Sequence, residues 1–253
     1  MSAIPPPPRI FSAERQRAAF SRALSRQQRP DAARFLFEDM REEVKERLSF
    51  MRFQPRTALV VGDPTELLAA ELRRGGTIVE TLPAGSWTGE EPLDLGPFDL
   101  IVHDTSLAAI NDLPGALLHL RAALGQDGLL IASVLGAGSL PVLRAAMLAA
   151  EPDRPHPRLH PLIDNYTASA LLQRTGYARQ VVDTHDLTVR YGALRTLVSD
   201  LRDQALGNVL ADAAPPLARS ALAKAQETFR ALADGDGRTS ETYAIVTLTA
   251  WRN

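Results

Sequence analysis

The sequence of 253 residues contains no cysteine. That single absence removes disulfides, thiolate nucleophiles, iron–sulfur ligation and zinc–cysteine sites, and it fits a reducing compartment. No apolar run approaches the roughly 20 residues that a membrane-spanning helix needs. Neither sign of charge dominates: the formal net charge is −2, which argues against a nucleic-acid surface. Basic residues are interspersed with acids, as in Arg41-Glu42-Glu43-Val44-Lys45-Glu46-Arg47, the pattern of a solvated helix face. The G-x-G-x-x-G spacing of a dinucleotide turn is missing, so a nicotinamide cofactor has little support. Ala137-Gly138-Ser139-Leu140 lacks the pattern of a nucleophile elbow, which disfavours hydrolase chemistry.

What remains is an ordinary globular composition, with 45% hydrophobic and 23% charged residues. The length suffices for one large core or two small ones. Met1–Arg29 is rich in Arg and Ser with one acid, Glu14, as in a mitochondrial transit segment. Pro5-Pro6-Pro7-Pro8 opposes that reading, because it breaks any helix there and predicts an extended leader. Spacing predicts a helix over Ser12–Arg26. A second helix carries Phe35, Leu36, Met40, Val44 and Leu48 on one face, with Asp31 as its expected N-cap.

From Thr57 the pattern changes to alternating strands and helices. Thr57–Val61, Thr77–Leu82, Phe98–Val102 and Leu129–Val134 read as strands. Helices are expected over Pro64–Arg74, from Asp112 to Leu124, over Leu140–Ala150 and over Thr167–Arg174. Pro83–Pro97 is too broken for assignment and leaves room for a short third strand. Gln180–Val189 reads as a strand interrupted near Asp186. Two helices, about Gly192–Ala205 and Ala218–Ala233, precede a last strand, Thr242–Trp251, expected to pair antiparallel with its predecessor. Such alternation implies an α/β fold with a mostly parallel sheet wound on both faces.

The first crossover, TALVVGDPTELLAAEL from Thr57 to Leu72, is laid out like a nucleotide-binding turn that has lost most of its glycines. Gly62 stands where the chain bends. Asp63, Pro64 and Glu66 occupy the positions where further glycines let a ligand approach the backbone. On the spacing alone, Pro64 falls in the first helical turn, where its missing N–H is harmless to the helix but withdraws a donor from any ligand. Glu66 adds negative charge to a helix N-terminus that would otherwise attract an anion.

Several stretches carry a family likeness over nearly the whole chain. They include Phe98-Asp99-Leu100-Ile101-Val102, Asn111-Asp112-Leu113-Pro114-Gly115-Ala116-Leu117 and Leu171-Leu172-Gln173-Arg174-Thr175-Gly176-Tyr177. Further matches are Leu187-Thr188-Val189-Arg190-Tyr191, Asp200-Leu201-Arg202 with Asn208, and Asp236-Gly237-Arg238. On these residues the chain resembles class I S-adenosylmethionine-dependent methyltransferases, and most of all the subgroup of biotin-pathway malonyl-carrier-protein methyltransferases and methyltransferase-like complex I assembly factors. The resemblance implies a Rossmann-like seven-stranded, mostly parallel sheet with helices on both faces. The order of elements along the chain divides it into a helical arm over residues 1–54 and an α/β domain over 55–253, with a helical lid over about 192–234. S-adenosylmethionine is the cofactor the resemblance implies, held by Gly62, Asp63, Glu80 and His103. Glu80 matches the acid that takes ribose hydroxyls. In the family a His-Trp pair follows the fourth strand, and Ala108-Ala109 stands there instead.

Other signals are weaker. His156 and His160 lie in a loop with three prolines in seven residues, which prevents the helical presentation that paired-histidine metal sites use. Asp234-Gly235-Asp236-Gly237 lacks the later ligands of a calcium loop and reads as a turn. Tyr166, Tyr177, Tyr191 and Arg190 are candidates for a pocket beneath the lid, with core or capping roles as their ordinary alternative. His103-Asp104 reads either as a site contribution or as surface loop. Three functions follow: a methyltransferase with a drifted cofactor loop, acting on a protein or carrier-protein acceptor; a non-catalytic relative that binds protein, as in respiratory-complex assembly; and a family-fold enzyme with altered chemistry, such as side-chain hydroxylation. The cytoplasm is the expected compartment, the mitochondrial matrix its alternative.

Overall fold

The computed structural model describes residues 9–253; the Pro5–Pro8 leader lies outside the described residues. Six strands form one sheet: β1 (Thr57–Val61), β2 (Ile78–Leu82), β3 (Phe98–His103), β4 (Leu124–Leu135), β5 (Ala178–Tyr191) and β6 (Thr239–Trp251). Their order is β2-β1-β3-β4-β6-β5. The first four run parallel, and β6 enters antiparallel between β4 and β5. The antiparallel last strand is as expected. The seventh strand is not seen among the described residues, because Pro83–Pro97 forms turns and bends. Nor does β5 break at Asp186; its irregularity lies between Ala178 and Val181.

Alternation along the central strands sorts side chains onto two faces. Leu59, Val61, Ile101 and Leu130 pack with Leu117 and Leu120 of α4 (Leu113–Ala123) and Leu172 of α6 (Asn165–Arg174). Ala58, Val60, Leu100 and Ile131 pack with Phe37, Met40 and Val44 of α2 (Phe35–Phe50) and Leu68 of α3 (Leu67–Arg74). A third cluster joins Leu143 of α5 (Pro141–Ala150), Leu197 of α7 (Leu194–Asp203) and Phe229 of α8 (Arg219–Ala231) to Tyr243 and Ile245. No helix among the described residues is long and apolar enough to cross a membrane.

Helix starts show where local reading fails. Asp112 and Asp164 cap α4 and α6 through Gly115 and Thr167, as a local rule demands. Asp31 does not cap α2. That helix begins at Phe35, and its Leu36 N–H is taken by Gln204 Oε1 at 2.8 Å from the far end of the chain. α3 begins at Leu67 rather than Pro64, because Glu66 adopts the left-handed region (φ 55). Pro64 is therefore a buried turn residue and not a first-turn helical proline.

Candidate functional site

In an open α/β sheet, ligands bind beyond the carboxyl ends of the strands. At the end of β1 the chain turns at Gly62 (φ +88), whose N–H donates to Leu82 O of β2 at 2.9 Å. On the other side, Asp104 N donates to Val61 O at 3.0 Å. Asp63 fills the space where a ligand anion would meet the helix N-terminus. Its carboxylate accepts Thr65 N at 2.9 Å, Thr65 Oγ at 2.5 Å and Leu68 N at 3.2 Å. Leu67 N donates to Thr65 Oγ. Two donors of this terminus, Leu67 N and Leu68 N, are thus spent internally.

His103 and Asp104, at the end of β3, are both buried, which overturns their reading as surface loop. Burial lowers His103 to about 4, and its Nδ1 lies 3.1 Å from Asp104 O, so a neutral ring donates there. Burial raises Asp104 to about 7, with the nearby Asp63 charge adding to the rise and hydrogen bonds from Ser106 opposing it. Asp104 caps the 3-10 turn Thr105–Ala109 through Ser106 N and Oγ. Glu80 sits within β2 opposite Leu59, two residues short of the strand end, and is exposed. Gly62, Asp63 and His103 therefore converge at the crossover, whereas Glu80 stands apart on the sheet.

The arm covers this place. α1 (Ala13–Arg26) runs across it, with Gln16 Nε2 donating to Ser106 O at 3.2 Å and Arg17 Nη1 to Gly85 O at 3.1 Å. Phe11 fills the space around Ala109, packing with Val209 and Leu210 and meeting the His160 ring edge-on at 5.3 Å. Ala109 thus makes room for the aromatic ring of Phe11. A hollow of about 30 Å³ remains between Gln16, Phe20, Ala84, Asp104 and Ser106. That is water-sized, against the several hundred Å³ of a small-molecule site. As arranged, these residues do not accommodate S-adenosylmethionine.

A much larger cavity, about 610 Å³, lies next to it beneath α5, α7 and α8. Thr105, His160 and Leu206 line both spaces. Its floor is aliphatic, including Leu135, Leu143, Met147, Leu159 and Val198. Its charged residues are five arginines (Arg15, Arg144, Arg158, Arg195 and Arg202), with no Asp or Glu in the lining. Of the four residues expected beneath the lid, none lines it. Tyr177 is core, its hydroxyl donating to Leu117 O; Tyr191 pairs with Tyr243 at 2.8 Å; Tyr166 and Arg190 are exposed. Asn208, from the family likeness, does line it, holding the loop through Pro157 O and Arg158 O. His156 and His160 serve separate partners, Glu151 and Val209 N, so no shared metal geometry arises.

The strand order, the crossover at Gly62 and the cavity beyond the strand ends define a class I methyltransferase fold. It is shared with the Burkholderia thailandensis 1,6-didemethyltoxoflavin-N1-methyltransferase solved with S-adenosylhomocysteine, at 13% identity and TM-score 0.52 over 95% of this chain and 88% of that one. In sequence the chain is similar to the mitochondrial arginine-hydroxylase NDUFAF5 of Rattus norvegicus, 26% identical over 97% of this chain and 81% of the relative. The human counterpart matches at 30% over 64% of this chain, which spans 48% of that relative. The malonyl-[acyl-carrier protein] O-methyltransferase of Gallionella capsiferriformans is 25% identical over 96% of this chain and 92% of the relative. No family model matches. In fold and in sequence the chain is thus similar to class I S-adenosylmethionine-dependent methyltransferases and their relatives.

Proposed function

We propose that the chain is an S-adenosylmethionine-dependent methyltransferase-like protein whose acceptor side is the arginine-rimmed cavity. The observation that carries this reading is position: the cavity opens beyond β3 and β4 and shares Thr105 with the crossover hollow. Group transfer by in-line displacement depends chiefly on holding two reactants together, so the lack of an acid–base constellation is compatible with it. S-adenosylmethionine is supported by the fold shared with a methyltransferase solved with S-adenosylhomocysteine. Its entry requires α1 to leave the hollow, since Gln16 and Arg17 close it. A protein or carrier-protein acceptor is the partner class that the malonyl-carrier-protein relative supports. A reducing compartment, cytoplasm or mitochondrial matrix, suits a chain without cysteine.

A second reading is favoured by Asp63, whose carboxylate accepts Thr65 N and Leu68 N where a ligand anion would sit: a methyltransferase-like protein that binds protein without transferring methyl groups. Calorimetry with S-adenosylhomocysteine separates the two. At 100 times Kd, binding stabilises by about 2.7 kcal/mol, a melting shift of roughly 5–10 °C for this size. Binding that strengthens in Gln16→Ala/Arg17→Ala supports the cofactor reading with α1 as the obstacle. No heat and no shift at millimolar ligand, in the wild type and in that variant, would overturn the methyltransferase reading.

A further inference from the structure

We propose that the 610 Å³ cavity binds an unbranched long-chain carboxylate, with its alkyl tail on the aliphatic floor and its head among Arg144, Arg195 and Arg202. This site is independent of whether the crossover holds a cofactor. The argument begins with charge. Arg15 and Arg158 are committed to protein acceptors: Arg15 donates to Leu210 O and Asn208 O, and Arg158 to Glu151 and Pro215 O. The guanidinium groups of Arg144, Arg195 and Arg202 have no hydrogen-bond or ion-pair partner among the described residues. Arg195 and Arg202 are seven residues apart on α7, and between them Val198 and Leu201 turn inward to the same cavity. One helix face thus offers two free cations at its edge and an apolar stripe below.

The floor selects the body of the ligand. Ser139 Oγ donates to Ala244 O and accepts Ala244 N, so it is spent. The N-terminus of α5 is also spent, because Glu241 accepts Val142 N and Leu143 N. Few hydrogen-bonding groups are left to meet a polar ligand body, and burying unpaired polar atoms there would be costly. No Phe, Tyr or Trp lines the cavity, so a nucleobase finds no stacking surface. A polypeptide would bring backbone donors and acceptors that the floor cannot satisfy, so of a protein or carrier-protein acceptor only an attached acyl chain could enter. An alkyl chain brings neither problem, and Leu, Val and Met side chains suit it. The head is anionic because arginine pairs with carboxylate through two parallel N–H···O bonds.

The test is calorimetric titration of the full chain with decanoate, decan-1-ol and butanoate, below the concentrations at which they aggregate. Decanoate is expected to bind at one site per chain, about tenfold or more tighter than either comparator. Arg195→Gln/Arg202→Gln removes two exposed, unpartnered cations; it should keep the wild-type melting temperature, weaken decanoate about tenfold and leave decan-1-ol within about twofold. Equal affinity for decanoate and decan-1-ol would refute the arginine head site. Equal affinity for butanoate would refute the alkyl floor. Binding of decanoate at several equivalent sites, or no binding below 1 mM, would overturn the proposal outright. The cavity is the one that the proposed function gives to the acceptor, but none of these outcomes depends on S-adenosylhomocysteine, so a failed alkyl-carboxylate site and a failed cofactor site are distinguishable.

Discussion

Asp104 lies directly against Gly62: a Cβ built on Gly62 would stand 2.1 Å from Asp104 Oδ1. The one glycine left in the crossover is thus kept for the protein's own carboxyl group, and its φ of +88 is unfavourable for other residues as well. Gly62→Ala is expected to destabilise the fold by about 2–4 kcal/mol, combining left-handed strain with overpacking. In an Asp104→Ala background the overpacking disappears and the cost should fall to about 1–2 kcal/mol. Urea unfolding of the four proteins measures this coupling. The same cost in both backgrounds would show that Asp104 does not set the requirement for glycine.

His103 and Asp104 titrate in opposite senses, and their effects on stability offset each other. His103 is lowered from 6.5 to about 4, so its stabilisation is present above pH 6.5 and is lost as pH falls through 4. Asp104 is raised from 3.8 to about 7, so its stabilisation is present below pH 3.8 and is lost as pH rises through 7. Between pH 4 and 6.5 the unfolded chain binds the histidine proton while the folded chain keeps the aspartic acid proton, and the two slopes cancel. Relative to wild type, Asp104→Asn should gain stability with rising pH by about 1.4 kcal/mol per unit, and His103→Gln should lose it at a similar rate. Denaturation at pH 4.5, 5.5 and 6.5 reads both slopes. Parallel profiles for all three proteins would mean that the pair does not titrate in this way.

Much of the fold could be read from local pattern, and the closed crossover could not. Buried runs such as Thr57–Val61 and Phe98–Val102 announced parallel strands, and Asp112 announced its helix, because each signal lies within a few residues of its effect. Asp31 misled for the opposite reason: the start of α2 is satisfied by Gln204, 168 residues away. The sequence showed that Asp63, Pro64 and Glu66 replace glycines. It did not show that Asp63 turns back onto Thr65 and Leu68 or that Phe11 lies over Ala109. The arginine cavity was invisible for a related reason. Arg144 and Arg202 belong to helices brought together only by the packing of α5 and α7 against Tyr243 and Ile245, and Arg202 drew notice only as part of a family match.

Asp63 and Glu66, three residues apart, should respond to substitution with opposite signs. Asp63→Ala removes the acceptor of Thr65 N and Leu68 N and should cost about 1–2 kcal/mol, as loss of a helix cap does. Glu66 holds φ 55 without a side-chain cap bond, a conformation that glycine adopts freely. Glu66→Gly should therefore be stabilising by up to about 1 kcal/mol despite the flexibility it adds to the unfolded chain. Thermal and urea unfolding check both. A destabilising Glu66→Gly would show that the carboxylate makes a contribution larger than the backbone strain.

Asp203 is the point at which α7 holds the end of α1 and the turn before α2, and it provides the most local handle on the covered crossover. Its side chain is 2% exposed and accepts Arg26 Nε at 2.5 Å, Arg29 Nη2 at 2.9 Å and Ala33 N at 3.2 Å. Gln27 Nε2 reaches Asp203 O at 2.8 Å. The donors are half-buried (Arg26, Ala33) or exposed (Arg29), so water takes over part of their bonding and Asp203→Ala should cost about 2–4 kcal/mol. Asp203→Asn keeps one acceptor oxygen and should cost less, about 1–3 kcal/mol. The loss should be regional, because the sheet is held by its own three apolar clusters. Amide exchange should accelerate in α1 and in the turn before α2 while β1, β3 and β4 stay protected. Uniform acceleration across the sheet would show instead that the arm is part of one cooperative unit, and that the crossover cannot be uncovered without unfolding the whole chain.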